Sequence, residues 1–238
     1  MSRISSYGEY SKSLAQKSFL TINHLAAVGL AAWLMVAGGL RTASGWFGIS
    51  LHPGDPARRI LLTGCSVVYF GRVCITCFSF LKRRMGWPEA GIISIWVYVV
   101  HLGFALLGGT NTASIGVVTF VGFVLYTVGS YLNTASEYSR HLWKQQPENQ
   151  GKLHTSGLFR YSMHINYFGD EVLFAGFAMI TGSVWALLVP ALMAVSFVGI
   201  NIPMLDDYLK NRYGSEFVVY AKQTKRFFRT STRNETRC

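Results

Sequence analysis

The chain has 238 residues, of which 50% are hydrophobic and only 14% are charged, and its formal net charge is +11. Soluble globular domains carry about 25% charged residues, so this composition argues against a water-soluble protein. The basic residues lie between and after the apolar runs rather than in one dense patch, which argues against a nucleic-acid-binding domain. We interpret them as determinants of membrane topology and as ligands for anions, and we expect no nucleic acid partner.

Six apolar segments approach the length that a helix needs to cross a membrane. A span requires roughly 20 mostly apolar residues, and the candidates lie at 22–40, 60–81, 91–107, 113–132, 167–182 and 184–202. The predicted fold class is therefore all-α, a polytopic transmembrane helical bundle of about six to seven spans. We expect a single integral membrane domain over residues 1–238, with N-terminal spans in 1–132 and a more polar C-terminal part in 133–238.

Basic loops predict the orientation of these spans. Lysines and arginines precede the first span and follow the second, fourth and sixth: Arg3, Lys12, Lys17, Lys82, Arg83, Arg84, Arg140, Lys144, Lys152 and the tail from Lys210 to Arg229. Cytoplasmic loops carry an excess of such residues, so both termini are predicted to be cytoplasmic. The loop 41–59 weakens this pattern, because it carries three arginines on the opposite side. An endoplasmic reticulum membrane and a bacterial inner membrane both fit.

Polar residues within the second span form one helical stripe. Tyr69, Arg72, Thr76 and Arg83 are separated by three, four and seven positions, a spacing that keeps them on one face. Arg72 lies well inside the span and would need an anionic partner or a wet cavity, because a guanidinium stays charged in proteins. The alternative is that its side chain extends to the membrane interface.

A second stripe begins at the end of the fourth span. Asn133, Glu137, Arg140 and Lys144 recur at helical spacing, and an amide, a carboxylate and two cations on one face suit a sugar-phosphate ligand. The alternative is a solvated helix end with a local pair between Glu137 and Arg140.

A third group lies at the start of the fifth apolar segment. Asn166 and Asp170 are one helical turn apart, although carboxylates in a first turn can also serve only the helix dipole. His164 could donate a proton, but we favour an interfacial position for it. Tyr208 lies in an amphipathic stretch after the last span, which we expect to close over the cytoplasmic mouth or to bind anionic lipid. The CxxC pair at Cys74 predicts apolar packing rather than a metal site.

These residues resemble the steroid 5-alpha-reductase superfamily. Residues 157–170 are similar to its Gly-Leu-x-x-Tyr-x-Arg-His-Pro-Asn-Tyr-x-Gly-Glu/Asp pattern, and residues 68–72 are similar to its Tyr-Phe-x-Arg. The sequence departs from the family at Met163, His164 and Ile165, where the family has Arg-His-Pro. Its first span also offers only His24 and Asn23 where the family has a glutamate or glutamine.

The resemblance implies a cytoplasm-facing cavity that holds NADPH in the C-terminal part. The implied cofactor-binding residues are Arg72, Arg83, Asn133, Glu137, Lys144, Asn166, Asp170 and Tyr208. It further implies a reductase that transfers hydride to an activated C=C bond of a steroid-like or polyunsaturated lipid entering from the bilayer. Tyr69 is the predicted catalytic residue, donating a hydrogen bond or proton to the substrate carbonyl.

Two other functions stay open at this point. One is a membrane methyltransferase of the isoprenylcysteine or phospholipid type, which uses S-adenosylmethionine and shares a similar helical hairpin followed by an acidic pair, here Asp206 and Asp207. The other is a non-enzymatic lipid-binding or scaffold protein descended from a reductase. The sequence does not decide the oligomeric state.

Overall fold

The computed structural model describes residues 10–226, which fold into α-helices joined by short 3-10 and π-helical turns. In chain order the helices are α1 (Leu14–Val36), α2 (Gly39–Phe47), α3 (Pro56–Ile75), α4 (Trp87–Gly109), α5 (Val117–Gln145), α6 (Ile165–Thr181), α7 (Leu188–Ser196), α8 (Ile202–Tyr213) and α9 (Ser215–Gln223). No β-sheet occurs in this range, where an isolated antiparallel bridge joins Tyr10 to Arg83. Arg3 and Arg229, used above for the topology, lie outside the described residues.

Five helical stretches are long and apolar enough to cross a membrane: Leu14–Val36, Pro56–Phe80, Trp87–Gly109, Val117–Gln145 and Val184–Tyr213. The second extends α3 through a π-helical turn, and the fifth joins α7 to α8 through another. The predicted fold class, a polytopic helical membrane bundle, is confirmed. The predicted segment 167–182 corresponds to α6, which at 17 residues is shorter than these five stretches.

Local sequence explains where the helices begin and end. Pro56 occupies the first position of α3, and the side chain of Asp55 accepts a hydrogen bond of 2.8 Å from the backbone nitrogen of Arg58. At its C-terminal end, α6 is followed by Gly182, whose φ of 69° is a conformation that favours glycine. The chain therefore turns sharply after α6 and enters the next apolar stretch.

Glycines let α5 and α6 pack backbone against backbone. A Cβ atom on Gly129 would lie 2.5 Å from the carbonyl oxygen of Gly169, and one on Gly176 would lie 2.4 Å from that of Gly122. Small residues permit such close approach between helices in lipid. Because the two contacts are seven residues apart on each helix, they fix the antiparallel register of α5 and α6.

Two arginines satisfy carbonyl groups at helix C-termini. Arg58 is only 2% exposed, and its guanidinium donates to the carbonyl oxygen of Ile180 at 2.5 Å and to the hydroxyl of Thr119 at 3.2 Å. Arg59 donates to the carbonyl oxygen of Met35 at 2.6 Å. The last carbonyl groups of a helix have no partner within the helix, so these side chains complete the ends of α6 and α1.

A polar cluster lies inside the bundle between α1, α3 and α4. The Nε2 atoms of His24 and His101 are 2.8 Å apart, and Nδ1 of His101 is 3.2 Å from the hydroxyl of Ser66. The ring of Tyr69 packs beside both histidines, with centroid distances of 5.0 and 5.8 Å. The hydrogen bonds allow these histidines to be buried, because they replace bonds to water.

Candidate functional site

A cavity of about 610 Å³ lies beside the extension of α5 beyond its apolar part. The end of α3, the start of α6, α8 and the loop before α6 form its other walls. Seven of the nine predicted site residues line it: Arg83, Asn133, Glu137, Lys144, Asn166, Asp170 and Tyr208. The structure therefore brings together residues that lie more than 100 positions apart in the sequence.

The inner wall of the cavity comes from the contact between α5 and α6. The side-chain nitrogen of Asn133 donates a hydrogen bond of 3.1 Å to the backbone oxygen of Asn166. The side-chain oxygen of Asn166 is buried and has no hydrogen-bond partner. An unpaired buried acceptor is costly, so this atom is available for a donor group of a ligand.

Arg72 lies behind this wall rather than in it. Its Nη2 atom is 3.3 Å from Oδ1 of Asp170, and its Nε atom donates to the hydroxyl of Thr134 at 3.0 Å. Arg72 thus has an anionic partner inside the bundle, and Asp170 lines the cavity on the other side. Arg72 is therefore placed to fix the position of the Asp170 carboxylate at the edge of the cavity.

Tyr69 does not line the cavity. Its ring packs against His24 and, at 5.1 Å, against Phe174 in the interior of the bundle. Tyr69 and Arg72 are three positions apart on α3, and this offset is enough to direct them to different neighbours. The structure therefore places the predicted catalytic residue outside the cavity, next to Arg72, whose guanidinium carbon lies 6.0 Å from the centre of the Tyr69 ring.

The outer wall of the cavity is rich in cations, most of which have partners. Arg140 lies 3.1 Å from Glu137, and Lys144 donates to the hydroxyl of Tyr213 at 2.9 Å. Arg83 forms a two-pronged pair with Glu89 at the start of α4. Tyr208 accepts a hydrogen bond of 2.7 Å from Arg212, at the mouth.

One corner of the cavity was not predicted from the sequence. His154 is 6% exposed, stacks on Trp143 with a centroid distance of 4.8 Å, and packs beside Phe159. Burial, together with the nearby cations Arg140 and Lys144, lowers the pKa of His154 to about 4. The imidazole is therefore neutral at physiological pH. It lies in a loop, where no periodic pattern could have indicated it.

His164 is fully buried, which differs from the interfacial position expected for it. It immediately precedes α6, and its Nε2 atom is 2.9 Å from Oδ1 of Asp206 in α8. Its ring stacks on Tyr167, which lines the cavity. The hydrogen bond replaces the water that an interfacial histidine would bind, and it connects Asp206 of α8 to the wall of the cavity.

The described residues contain no cluster of side chains that could bind a metal ion. Within residues 10–226, no three histidine, cysteine, aspartate or glutamate side chains are placed to share one metal ion. The cavity instead combines carboxylate, amide, cationic and aromatic groups, which suits an organic ligand with several polar groups.

Comparison with known proteins identifies methyltransferases among the relatives. The chain is 24% identical over 179 residues to the probable protein-S-isoprenylcysteine O-methyltransferases of Oryza sativa subspecies indica and japonica, covering 70% of this chain and 93% of each relative. It is 29% identical over 92 residues to the probable O-methyltransferase ustE of Ustilaginoidea virens, covering 38% of this chain. The aligned part spans only 32% of that relative's own length.

These relatives correct the predicted activity. The expectations of an NADPH-dependent reductase, of NADPH as the cofactor and of a steroid-reductase-like oxidoreductase are wrong, because the relatives are named as O-methyltransferases. The sequence patterns were misleading because arginines that suit a phosphorylated cofactor are here engaged by carboxylates, as Arg72 and Arg83 show. Tyr69 was expected to protonate a substrate carbonyl only because a reductase was expected, so this role has no remaining support. Membership of the steroid 5-alpha-reductase superfamily stays a prediction.

A family match covers more than half of the chain. Residues 91–224 match the family described as "Protein of unknown function (DUF1295)". The match includes α5, α6 and α8, which build most of the cavity. The chain therefore belongs to the DUF1295 family, and it is homologous to proteins of the isoprenylcysteine O-methyltransferase type.

Proposed function

We propose that this protein is an integral-membrane methyltransferase that uses S-adenosylmethionine and methylates an oxygen atom of a lipophilic substrate. The observation that carries the proposal is the cavity of about 610 Å³ between α5, α6 and α8, with its mixed set of polar and aromatic groups. The names of the Oryza and Ustilaginoidea relatives support the choice of methyl transfer.

The groups in the cavity fit S-adenosylmethionine. This cofactor carries an ammonium group, a sulfonium, a carboxylate, ribose hydroxyls and a flat adenine ring. Asp170 and Glu137 offer carboxylates for the cationic end, Lys144 offers a cation for the carboxylate, and Phe159 offers an aromatic face. The volume lies within the roughly 300–1,000 Å³ usual for small-molecule sites.

The unpaired atoms add a more specific argument for the fit. The side-chain oxygen of Asn166 and Nδ1 of His154 are both buried without a partner. An amide oxygen accepts hydrogen bonds from amino or hydroxyl groups, and a neutral imidazole either donates or accepts one. We assign both residues to binding of the cofactor, together with Arg83, Asn133, Glu137, Lys144, Asp170 and Tyr208.

The protein's contribution to the reaction is binding, orientation and exclusion of water. S-adenosylmethionine, when bound, would supply an electrophilic methyl group for the acceptor oxygen. Asn133 holds the backbone of Asn166 in place, and Arg72 holds Asp170. Such fixed groups align two reactants before the reaction, which lowers the entropic part of the barrier.

We further propose that the cavity opens to the cytoplasm and that α6 crosses the membrane as a sixth span, which places both chain termini on that side. Lys82, Arg83, Arg140 and Lys144 all line it, and an excess of lysine and arginine is typical of the cytoplasmic face. The substrate would then enter from the bilayer between the spans. Membrane lipid contacts the exposed apolar faces of the five long helical stretches.

The experiment that tests the proposed function is direct titration of the detergent-purified full chain with S-adenosylmethionine and S-adenosylhomocysteine. We expect saturable binding that Asn166→Ala weakens at least tenfold. Asn23→Ala is the matched control, since Asn23 is partly exposed on α1 and does not line the cavity. Absence of binding by the wild-type chain would overturn the assignment and favour the lipid-binding alternative.

A second measurement defines the acceptor atom. The protein is incubated with S-adenosylmethionine labelled at the methyl group and with a total lipid extract, and the labelled product is treated with mild alkali. A methyl ester releases labelled methanol under these conditions, whereas a methyl ether or a methylated amine retains the label. Retention of the label on nitrogen would contradict transfer to oxygen.

A further inference from the structure

The residues that follow α9 pair with the loop that precedes α6. The backbone nitrogen of Met163 donates to the carbonyl oxygen of Lys225 at 2.8 Å, and that of His164 donates to the carbonyl oxygen of Arg226 at 3.2 Å. The hydroxyl of Ser162 donates to the same oxygen of Arg226 at 3.2 Å. These hydrogen bonds hold the segment in place, and the side chain of Arg226 reaches Asp206 on α8.

The side chain of Arg226 completes a chain of three charged or polar groups. Its Nε atom lies 2.9 Å from Oδ2 of Asp206, while Oδ1 of Asp206 lies 2.9 Å from Nε2 of His164. Asp206 is 5% exposed and His164 is fully buried. A buried carboxylate needs a cation or several hydrogen bonds to stay ionised. Arg226 supplies the cation from outside the wall of the cavity.

This arrangement fixes the state of His164. Because the carboxylate of Asp206 accepts the hydrogen bond, the proton between the two groups is carried by Nε2 of His164. Nδ1 is itself buried without a hydrogen-bond partner. The tautomer of a histidine is set by the partner of its other nitrogen. His164 stacks on Tyr167, and Met163, Asn166 and Tyr167 line the cavity.

We propose that Arg226 is a positioning residue of the cavity, acting through Asp206 to orient His164 and, with it, the wall formed by Met163, Asn166 and Tyr167. The residues after α9 are thus part of the ligand site, although they follow the last span. The effect on ligand binding rests on the proposed function, whereas the effect on His164 does not.

The experiment compares Arg226→Gln with Arg226→Lys in the full chain. We expect Arg226→Gln to weaken S-adenosylhomocysteine binding about tenfold and Arg226→Lys to restore most of it, because the lysine keeps the positive charge. The side chain of Arg226 is 69% exposed, so the melting temperature in detergent should stay within a few degrees. Lys225→Gln is the control, a neighbouring cation that pairs through its backbone.

A double-mutant cycle separates this role from a general structural one. Asp206→Asn and Arg226→Gln should not add, since both break the same chain of contacts. Additive losses, or wild-type affinity in Arg226→Gln, would overturn the proposal.

Nitrogen-15 NMR of labelled histidine reports on His164 without any ligand. We expect the Nε2-protonated form in the wild-type chain and in Arg226→Lys, and a mixture of tautomers in Arg226→Gln. Unchanged histidine signals in Arg226→Gln would count against the positioning role even if the protein bound no methyl donor. If the protein does not bind S-adenosylmethionine but Arg226→Gln still causes the expected NMR change, only the proposed function is overturned.

Discussion

The guanidinium of Arg72 and the carboxylate of Asp170 form a pair across α3 and α6, with 3.3 Å between Nη2 and Oδ1. Thr134 on α5 accepts from the same guanidinium, so the pair joins three helices at the base of the cavity. Both side chains are mostly buried. A charged pair in this position connects the packing of the bundle to the ligand site.

Breaking this pair should destabilise the protein strongly. We expect Arg72→Met to lower the unfolding free energy by about 3 kcal/mol, because it leaves Asp170 as an uncompensated buried charge. The double variant Arg72→Met with Asp170→Leu should recover much of the loss. Thermal unfolding in detergent measures both.

The comparison for that prediction is the local pair of Glu137 and Arg140 on one helix, whose arginine is 32% exposed, compared with 12% for Arg72. Exposed pairs contribute about 0–1 kcal/mol, so Arg140→Met should change the melting temperature little. Equal effects of Arg72→Met and Arg140→Met would contradict the importance given to burial.

Adding a single methyl group at Gly129 should separate α5 from α6. The new Cβ would lie 2.3 Å from the backbone nitrogen of Leu173, a distance that only movement of a helix can relieve. We expect Gly129→Ala to lower the melting temperature and to weaken ligand binding, since the register that places Asn133 beside Asn166 is lost. Gly64→Ala on α3 is the control, because a Cβ there meets nothing within 4 Å. Similar behaviour of the two variants would rule out this packing.

The stability of the protein should fall as the pH falls below about 6.5, in part because of His154. The pKa of His154 is about 4 in the folded protein, whereas an unfolded histidine has a pKa of about 6.5. The unfolded state therefore binds more protons between these values, and the stabilisation that is fully present above pH 6.5 is lost toward pH 4.

The size of this effect can be measured by unfolding at pH 7.5 and pH 5. The two pKa values correspond to a loss of about 2 kcal/mol at pH 5. His154→Asn should reduce the difference between the two pH values, while His141→Asn is a control on α5. A pH dependence that is identical in wild type and His154→Asn would mean that His154 is not held neutral by burial.

Single cysteines placed in a cysteine-free background test the orientation. Ser11→Cys and Gln150→Cys should react with an impermeant maleimide from the cytoplasmic side, and Thr112→Cys, in the turn between α4 and α5, should react from the opposite side. Each position is at least partly exposed. Labelling of Ser11→Cys and Gln150→Cys from opposite sides would contradict the proposed topology.

Helical periodicity made much of the cavity predictable. The stripe from Asn133 to Lys144 lies along one helix, and its members do line one cavity. Asn166 and Asp170 were found in the same way, since they are one turn apart on α6. Periodicity did place Tyr69 beside Arg72, whose guanidinium carbon lies 6.0 Å from the centre of its ring. It could not show that the ring of Tyr69 packs against His24 and Phe174 inside the bundle instead of lining the cavity.

Contacts between distant segments could not be predicted from the sequence. His164 and Asp206 are 42 positions apart, and neither lies in a pattern that indicates the other. The identity of the cofactor also could not be predicted from the helical stripes of polar residues. A row of cations suits a phosphate group, but its meaning changes once carboxylates such as Glu89 engage those cations.

The arginines that complete the ends of α6 and α1 affect how the charge asymmetry of this protein should be counted. Arg58 and Arg59 keep their charges, but their guanidinium groups donate to backbone carbonyl groups and are therefore less available to lipid headgroups. Leaving them out reduces the three arginines of the loop 41–59 to Arg41. The imbalance between the two membrane faces is then larger than the bare sequence indicates. Replacing Arg58 would disrupt the bundle rather than reverse its insertion.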